Sequence, residues 1–134
     1  MRTALETLTR AFWGHLRDFP LPEPCRVTLH PGVPEIQVQV APGEAGTHLA
    51  ELLLWAYTLD QVTATWWRTE QNNLHITIRG RSQGGAHFLV YGGIAWRHCG
   101  GLVQLATGAR EGVSIDELYT LRMLLDEQAV EVAA

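Results

Sequence analysis

The sequence predicts a single α+β domain in which an antiparallel sheet of about five strands carries helices on one face. Three segments repeat apolar residues at steps of three and four, and several others alternate apolar and polar residues between short turns. Strands joined by short turns pair antiparallel, and the helices then collect on one side of the sheet. The predicted order is α-ββ-α-βββ-(β)-α. A length of 134 residues fits one domain, so residues 1–134 are assigned to it.

The first helix is predicted to begin at Thr3. Thr3 and Glu6 have the spacing of a capping box, in which the threonine oxygen accepts from a first-turn amide. An apolar stripe follows at Leu5, Leu8, Phe12, Leu16 and Phe19. The helix is expected to stop before Pro20, because proline has no amide hydrogen and restricts the residue before it.

Two strands are predicted next, over residues 26–30 and 35–40. In the second strand Ile36, Val38 and Val40 point one way and the glutamines between them the other, which indicates one buried and one wet face. The link at 31–34 contains two prolines and a glycine, so it predicts a hairpin turn.

The second helix is predicted to begin within residues 42–47 and to end near residue 59. Its inner stripe is Leu49, Leu52, Leu53, Ala56 and Leu59. Leu54, Trp55 and Tyr57 widen this stripe until most sides of the helix are apolar. Such a helix is either central to the core or buried again by a partner, so these three residues are interface candidates.

A three-stranded meander follows, over residues 62–69, 74–81 and 86–91. Its turns are predicted at 70–73 and 82–85, and the glycine-rich stretch 92–101 reads as further turns with a bulge. A short strand is expected at 102–106. The last helix is predicted from Ser114, which has capping-box spacing to Glu117, and its apolar face contains Leu118, Leu121, Leu124 and Leu125.

Composition indicates an ordinary globular protein. The longest apolar run, 52–57, is far too short for a membrane span, and charged residues interrupt the N-terminus, so we expect a cytoplasmic protein without a signal peptide. Cys25 and Cys99 are then expected as free thiols. All ten basic residues are arginine, which suits a GC-rich genome.

No complete catalytic, metal or cofactor motif is present, so we predict no cofactor. The six histidines lack ligand spacing, and a chain without lysine has no phosphate-binding loop. His75 and His87 flank a turn and are possible cross-strand neighbours. Cys99 lies between His98 and Gly100, where nearby positive charge and free amides suit a nucleophile; a buried, inert thiol is the alternative.

Charge is divided unevenly along the chain. Residues 62–110 contain five arginines and one acid, a net charge of +4, whereas the rest contains five arginines and thirteen acids, a net charge of −8. If the residues Leu74, Ile76 and Ile78 face the helices, His75, Thr77, Arg79 and Arg81 face outward. Arginine with aromatic side chains on a sheet is a common way to hold single-stranded nucleic acid. The candidate residues are Trp66, Trp67, Arg68, His75, Arg79, Arg81, His87 and Tyr91, with Trp67 and the Trp66–Arg68 set as alternatives for the outer face.

The chain also resembles small uncharacterised proteins of actinobacteria and their phages or mobile elements. The similar stretch is 49–93, about a third of the chain, and the resemblance lies in its segments 52–56, 62–64, 67–68, 74–80 and 90–93. This resemblance implies no activity and no functional residues.

Three functions follow as hypotheses. The first is a non-enzymatic interaction module, a homodimer or a partner-binding accessory protein, because of the surplus apolar residues. The second is a nucleic-acid-binding protein that uses the meander. The third is a cysteine enzyme that uses Cys99.

Overall fold

The structure is a computed structural model that describes residues 2–133, with side chains described for residues 2–131. Within these bounds the helices are α1 (Ala4–Asp18), α2 (Ala45–Tyr57), α3 (Trp96–Cys99) and α4 (Ile115–Ala133). The strands are β1 (Arg26–His30), β2 (Glu35–Gln39), β3 (Asp60–Arg68), β4 (Asn73–Arg81), β5 (His87–Ala95) and β6 (Arg110–Val113).

The six described strands form one mixed sheet, in the order β1-β2-β5-β4-β3-β6. The hairpin β1–β2 and the meander β3–β4–β5 are antiparallel, as predicted, but β2 and β5 are parallel. The prediction of a fully antiparallel sheet was therefore wrong. Short turns determine pairing only inside the hairpin and the meander. The chain leaves β2 through α2, which crosses the sheet and lets β5 return beside β2 in the same direction.

The C-terminal part of the sheet also differs from the prediction. The expected strand at 102–106 is turn and coil, and the sixth strand instead spans Arg110–Val113 and pairs antiparallel with β3. Gly92 and Gly93, predicted to lie in a turn, continue β5 as far as Ala95. The missing side chain of Gly92 allows a close approach by His48 of α2 rather than a reversal of the chain.

The predicted helix caps are present. Thr3 Oγ1 accepts from the Glu6 amide at 3.1 Å, and α1 ends before the prolines. At α4 the capping box is reciprocal: the Glu117 amide donates to Ser114 Oγ at 3.0 Å, and the Ser114 amide donates to Glu117 Oε1 at 3.2 Å. Each such cap satisfies amides that the first turn leaves unpaired.

The core lies between one sheet face and the helices, with α2 at its centre. All five residues of the predicted α2 stripe are buried, together with Trp55. The inward residues of β4 are fully buried, whereas its outward residues are half-buried or exposed. No helix within residues 2–133 covers that second surface, which we call the open face; it consists of the outward residues of the six strands.

Candidate functional site

Three aromatic rings lie in a row across the open face. Trp67 of β3 is paired with His75 of β4, and their ring centroids are 6.1 Å apart. The His75 ring lies 5.8 Å from that of Tyr91 on β5. At the β3 edge the guanidinium of Arg110 lies 4.8 Å above the Trp67 ring, within cation–π distance. The row is half-exposed and ends in a positive charge, but it is not flat, because the His75 ring is edge-on to Trp67 at 71° and tilted by 36° from Tyr91.

The row favours the neutral form of its histidine. Burial lowers the pKa of His75 below its usual value, and the positive charge of Arg110 lowers this pKa further. At neutral pH one ring nitrogen therefore donates and the other accepts a hydrogen bond. A neutral imidazole in an aromatic row provides a stacking surface rather than an ionic contact.

Arginines surround this row on the open face. Arg79 and Arg81 are exposed on β4, Arg26 on β1 and Arg110 on β6. His87 is paired with both Arg81 and Glu35, and Arg81 is also paired with exposed Asp60, which places two carboxylates among these cations. Glu35 accepts a hydrogen bond from Gln37 Nε2 at 3.0 Å.

None of the four arginines is held in an ion pair. Among the described side chains the one salt bridge joins Arg122 and Asp126 on α4, at 3.7 Å. The guanidinium groups of the open face are therefore available to anions in solution.

A cleft opens where the aromatic row meets the end of β2; we call it the Gly93 cleft. Pairing between β2 and β5 ends at Gln39 and Tyr91, so the next residues of β5 have no strand beside them on that side. The cavity has a volume of about 390 Å³ and is lined by Gln39, Val40, Pro42, His48, Thr69, Gln71, Asn73, His75, Tyr91, Gly92 and Gly93. Because Gly93 has no side chain, the cleft is continuous with the open face.

His48 closes the floor of this cleft. Its Nε2 accepts from the Gly93 amide at 3.1 Å, and its Nδ1 donates to the Ala41 carbonyl at 2.8 Å. A carbonyl only accepts and an amide only donates, so these contacts define a neutral imidazole protonated on Nδ1. The imidazole lies directly against Gly92, where a larger residue would not fit. His48 thus takes the place of the missing strand partner.

Two predicted site residues, Trp66 and Arg68, lie on the side of the sheet that faces the helices. Trp66 is 7% exposed and its Nε1 donates to Glu111 at 2.8 Å. Arg68 stacks 4.1 Å from the Trp96 ring and donates to the Leu105 carbonyl at 3.0 Å. These contacts join β3 to β6 and to the loop after α3. Of the two alternatives for the outer face, the structure therefore has Trp67 outward and the Trp66–Arg68 set inward.

The other candidates on the meander do share the open face, namely Trp67, His75, Arg79, Arg81, His87 and Tyr91. His75 and His87 are not neighbours, because their partners on the facing strand are Gly93 and Arg81. Among the described residues no group of three histidine, cysteine or acidic side chains is arranged to hold a metal ion.

The three interface candidates on α2 differ in their exposure to solvent. Tyr57 is 82% exposed and Leu54 is 50% exposed, whereas Trp55 is 1% exposed and packs near His15 and Phe88. Trp55 was therefore wrong as an interface residue, because it completes the core between α1 and the sheet.

Cys99 is an unreactive thiol in this environment. Its side chain is fully buried and lies 3.8 Å from the Ala95 carbonyl. Burial raises its pKa to about 11, although the positive charge of Arg68 acts in the opposite direction. Because the thiolate is the nucleophile, a buried thiol with a raised pKa gives no support to the cysteine-enzyme hypothesis.

Sequence reasoning missed Arg110 and His48. Arg110 meets Trp67 through β6, a strand of four residues that is too short to show a period, and His48 meets Gly93 from a distant helix. No local pattern signals either contact.

The chain matches no protein-family model, no curated protein and no solved structure at a significant level. Its described helices include none long and apolar enough to cross a membrane.

Proposed function

We propose that the protein binds single-stranded nucleic acid on its open face. The observation that carries this proposal is the aromatic row of Trp67, His75 and Tyr91, flanked by arginines without ion-pair partners. Bases of any sequence stack on aromatic rings, and guanidinium groups neutralise the phosphates between them.

The distribution of charge favours the open face over the helical side of the molecule as the surface that binds a polyanion. The exposed arginines Arg26, Arg79, Arg81 and Arg110 share the open face, whereas acidic residues are concentrated on the helices, as on α4 with Asp116, Glu117, Asp126 and Glu127. The net charge of −4 makes the chain as a whole weakly repel phosphate. Because the arginines lie on the open face and most acids on the helices, a polyanion is attracted to the open face in particular.

The salt dependence of binding tests the electrostatic part. Two to four engaged arginines predict a log–log salt slope of about −1.4 to −2.8, from roughly 0.7 per phosphate on a single strand. Fluorescence anisotropy with a labelled dT12 oligonucleotide at low salt measures it. No binding by the wild type up to about 100 μM, the weak end of non-specific affinity, contradicts the proposal.

A matched pair of charge reversals locates the surface. Arg79→Glu/Arg81→Glu should abolish binding, whereas Arg10→Glu/Arg17→Glu changes the net charge equally on exposed positions of α1 and should preserve most of it. Equal losses in both variants would mean that total charge, and not the open face, controls binding. A labelled acidic peptide that binds the wild type, is lost in Arg79→Glu/Arg81→Glu and is not displaced by unlabelled dT12 would assign the same surface to an acidic protein partner.

The stacking part has a separate test. Trp67→Ala should weaken dT12 binding by about 5- to 150-fold, the equivalent of ~1–3 kcal/mol for one stacked base. The salt slope should stay unchanged, because no charge is removed. An unchanged affinity would exclude Trp67 from the interface.

Self-association, the first hypothesis from the sequence, is the second candidate function, because α2 presents Tyr57 and Leu54 one turn apart to solvent. The case is weaker than the sequence suggested, since Trp55 and Trp66 are satisfied inside the core. If α2 is a homodimer interface, Leu54→Glu/Tyr57→Glu converts a dimer to a monomer in light scattering. A wild-type monomer at high micromolar concentration would contradict this candidate.

A further inference from the structure

We propose that the Gly93 cleft is a base-specific subsite that takes one adenine of a strand bound on the open face. This inference rests on the proposed function and adds a substrate preference to it. A surface made only of stacking rings and arginines is tolerant of sequence, whereas this cleft offers hydrogen-bonding groups at a fixed place.

The cleft lies where a base leaving the aromatic row would enter. His75 and Tyr91 belong both to the row and to the cleft wall, and Gly93 between them leaves space instead of a side chain. Its volume of about 390 Å³ is in the lower range of small-molecule sites. His48 makes the floor rigid, because both of its ring nitrogens are already hydrogen-bonded.

The free polar groups of the cleft are side-chain amides. Gln71 and Asn73 line it, and within the described part of the chain neither amide makes a hydrogen bond. Gln39 contributes a third amide, whose oxygen accepts from the Tyr91 hydroxyl at 3.4 Å. An amide offers one donor and one acceptor side by side.

That chemistry favours adenine over the other bases. Adenine presents a donor beside an acceptor on both of its edges, through the shared N6 amino group, so it can meet two amides at once. Cytosine, guanine and thymine each present such a pair on one edge only, through N4–H and N3, O6 and N1–H, and O4 and N3–H respectively. The other edge of guanine presents two acceptors, N7 and O6, which match arginine, and no arginine lines the cleft.

The test compares dT12 with three oligonucleotides in which one central base is changed to dA, dC or dG. The wild type should bind the dA oligonucleotide about tenfold more tightly than dT12, within the range of a bidentate amide contact, with the dC and dG oligonucleotides close to dT12. Asn73→Ala should reduce this preference to about twofold or less while the dT12 affinity and its salt slope stay unchanged.

Gly93→Leu places a side chain at the mouth of the cleft, where its Cβ meets only the Leu74 carbonyl oxygen within 4 Å, at 3.8 Å; circular dichroism checks that the fold is kept. It should abolish the dA preference and retain dT12 binding. Gly32→Leu is the control, since the same side chain then enters open space in the β1–β2 turn, and it should keep the preference.

The outcomes separate the two proposals. Salt-sensitive dT12 binding with equal affinity for all four oligonucleotides overturns the adenine subsite and leaves the proposed function in place. A preference for dG, or a dA preference that survives Gly93→Leu, overturns the subsite as well. A wild type that binds none of the oligonucleotides overturns both.

Discussion

The contact between His48 and Gly92 makes the substitution Gly92→Ala a sensitive test of how α2 holds the sheet. An added Cβ would lie 2.8 Å from His48 Cε1 and nearer still to Nε2, well inside ordinary van der Waals distance. The imidazole is only 3% exposed, and any movement away from the new Cβ would weaken its bonds to the Gly93 amide and the Ala41 carbonyl.

The expected loss follows from those two bonds and the displaced ring. Each hydrogen bond contributes ~1 kcal/mol net, and repacking a buried side chain adds a comparable amount, so Gly92→Ala should cost about 2–4 kcal/mol. Unfolding entropy of roughly 2.1 cal/mol/K per residue then gives a fall in Tm of about 7–14 °C for a chain of this size. Urea unfolding followed by circular dichroism measures the free energy, and calorimetry the Tm.

Gly93→Ala is the matched control, one residue along the same strand. Its Cβ has ordinary space, so its stability should stay within about 1 kcal/mol of the wild type. In the His48→Ala background, Gly92→Ala should cost much less, because the clashing ring is gone. Equal stability of Gly92→Ala and Gly93→Ala in the wild-type background would refute the arrangement of His48 described above.

Three further outcomes are expected. Leu53→Ala should cost ~2–5 kcal/mol, because this side chain is 2% exposed, whereas Leu54→Ala at a half-exposed position should cost much less; similar losses in urea unfolding would mean that the stripe of α2 is misplaced. A thiol reagent near pH 7 should modify exposed Cys25 and leave buried Cys99 untouched until the protein unfolds, and equal modification rates in the native protein would contradict this. Burial lowers the pKa of His15 despite the opposing charge of a nearby carboxylate, so the unfolded chain binds its proton more readily and stability should fall as the pH decreases through about 6.5; His15→Gln should reduce that fall, and an identical pH profile would argue against the assignment.

The sequence predicted the local elements well because their signals are local. Capping spacing located the start of α1 and of α4, and period two correctly assigned His75, Arg79 and Arg81 to one face. These signals depend only on residues that are close in the chain, so they can be interpreted without knowledge of the tertiary structure.

The choice between Trp67 and the Trp66–Arg68 set could not be made from the sequence. A shift of one residue in pairing reverses the face of every side chain. The turn decides it: Asn72 adopts a φ of 64°, and Thr69 Oγ1 accepts from the Asn73 amide, which aligns Arg68 with Leu74 and Trp67 with His75. Asparagine tolerates this left-handed conformation better than most residues, but its presence does not specify the register.

The remaining parts of the candidate site depend on contacts between distant segments. Arg110 contacts Trp67 from β6, and His48 contacts Gly93 from α2. The local periodicity of the sequence indicates neither contact. The same holds for the parallel pairing of β2 with β5, which joins the hairpin to the meander.

That parallel pair has a consequence for how the chain acquires its structure. Glu35 of β2 meets His87 of β5, so this contact closes a loop about tenfold longer than the one between His30 and Glu35. The extra loop-closure entropy is about 2 kcal/mol. We therefore expect the meander to form before the N-terminal hairpin pairs with it. During synthesis β2 cannot pair with β5 until β5 has left the ribosome, so Ile36 and Val38 lack this burial until then. Substitutions in β1 and β2 should consequently accelerate unfolding more than they slow folding.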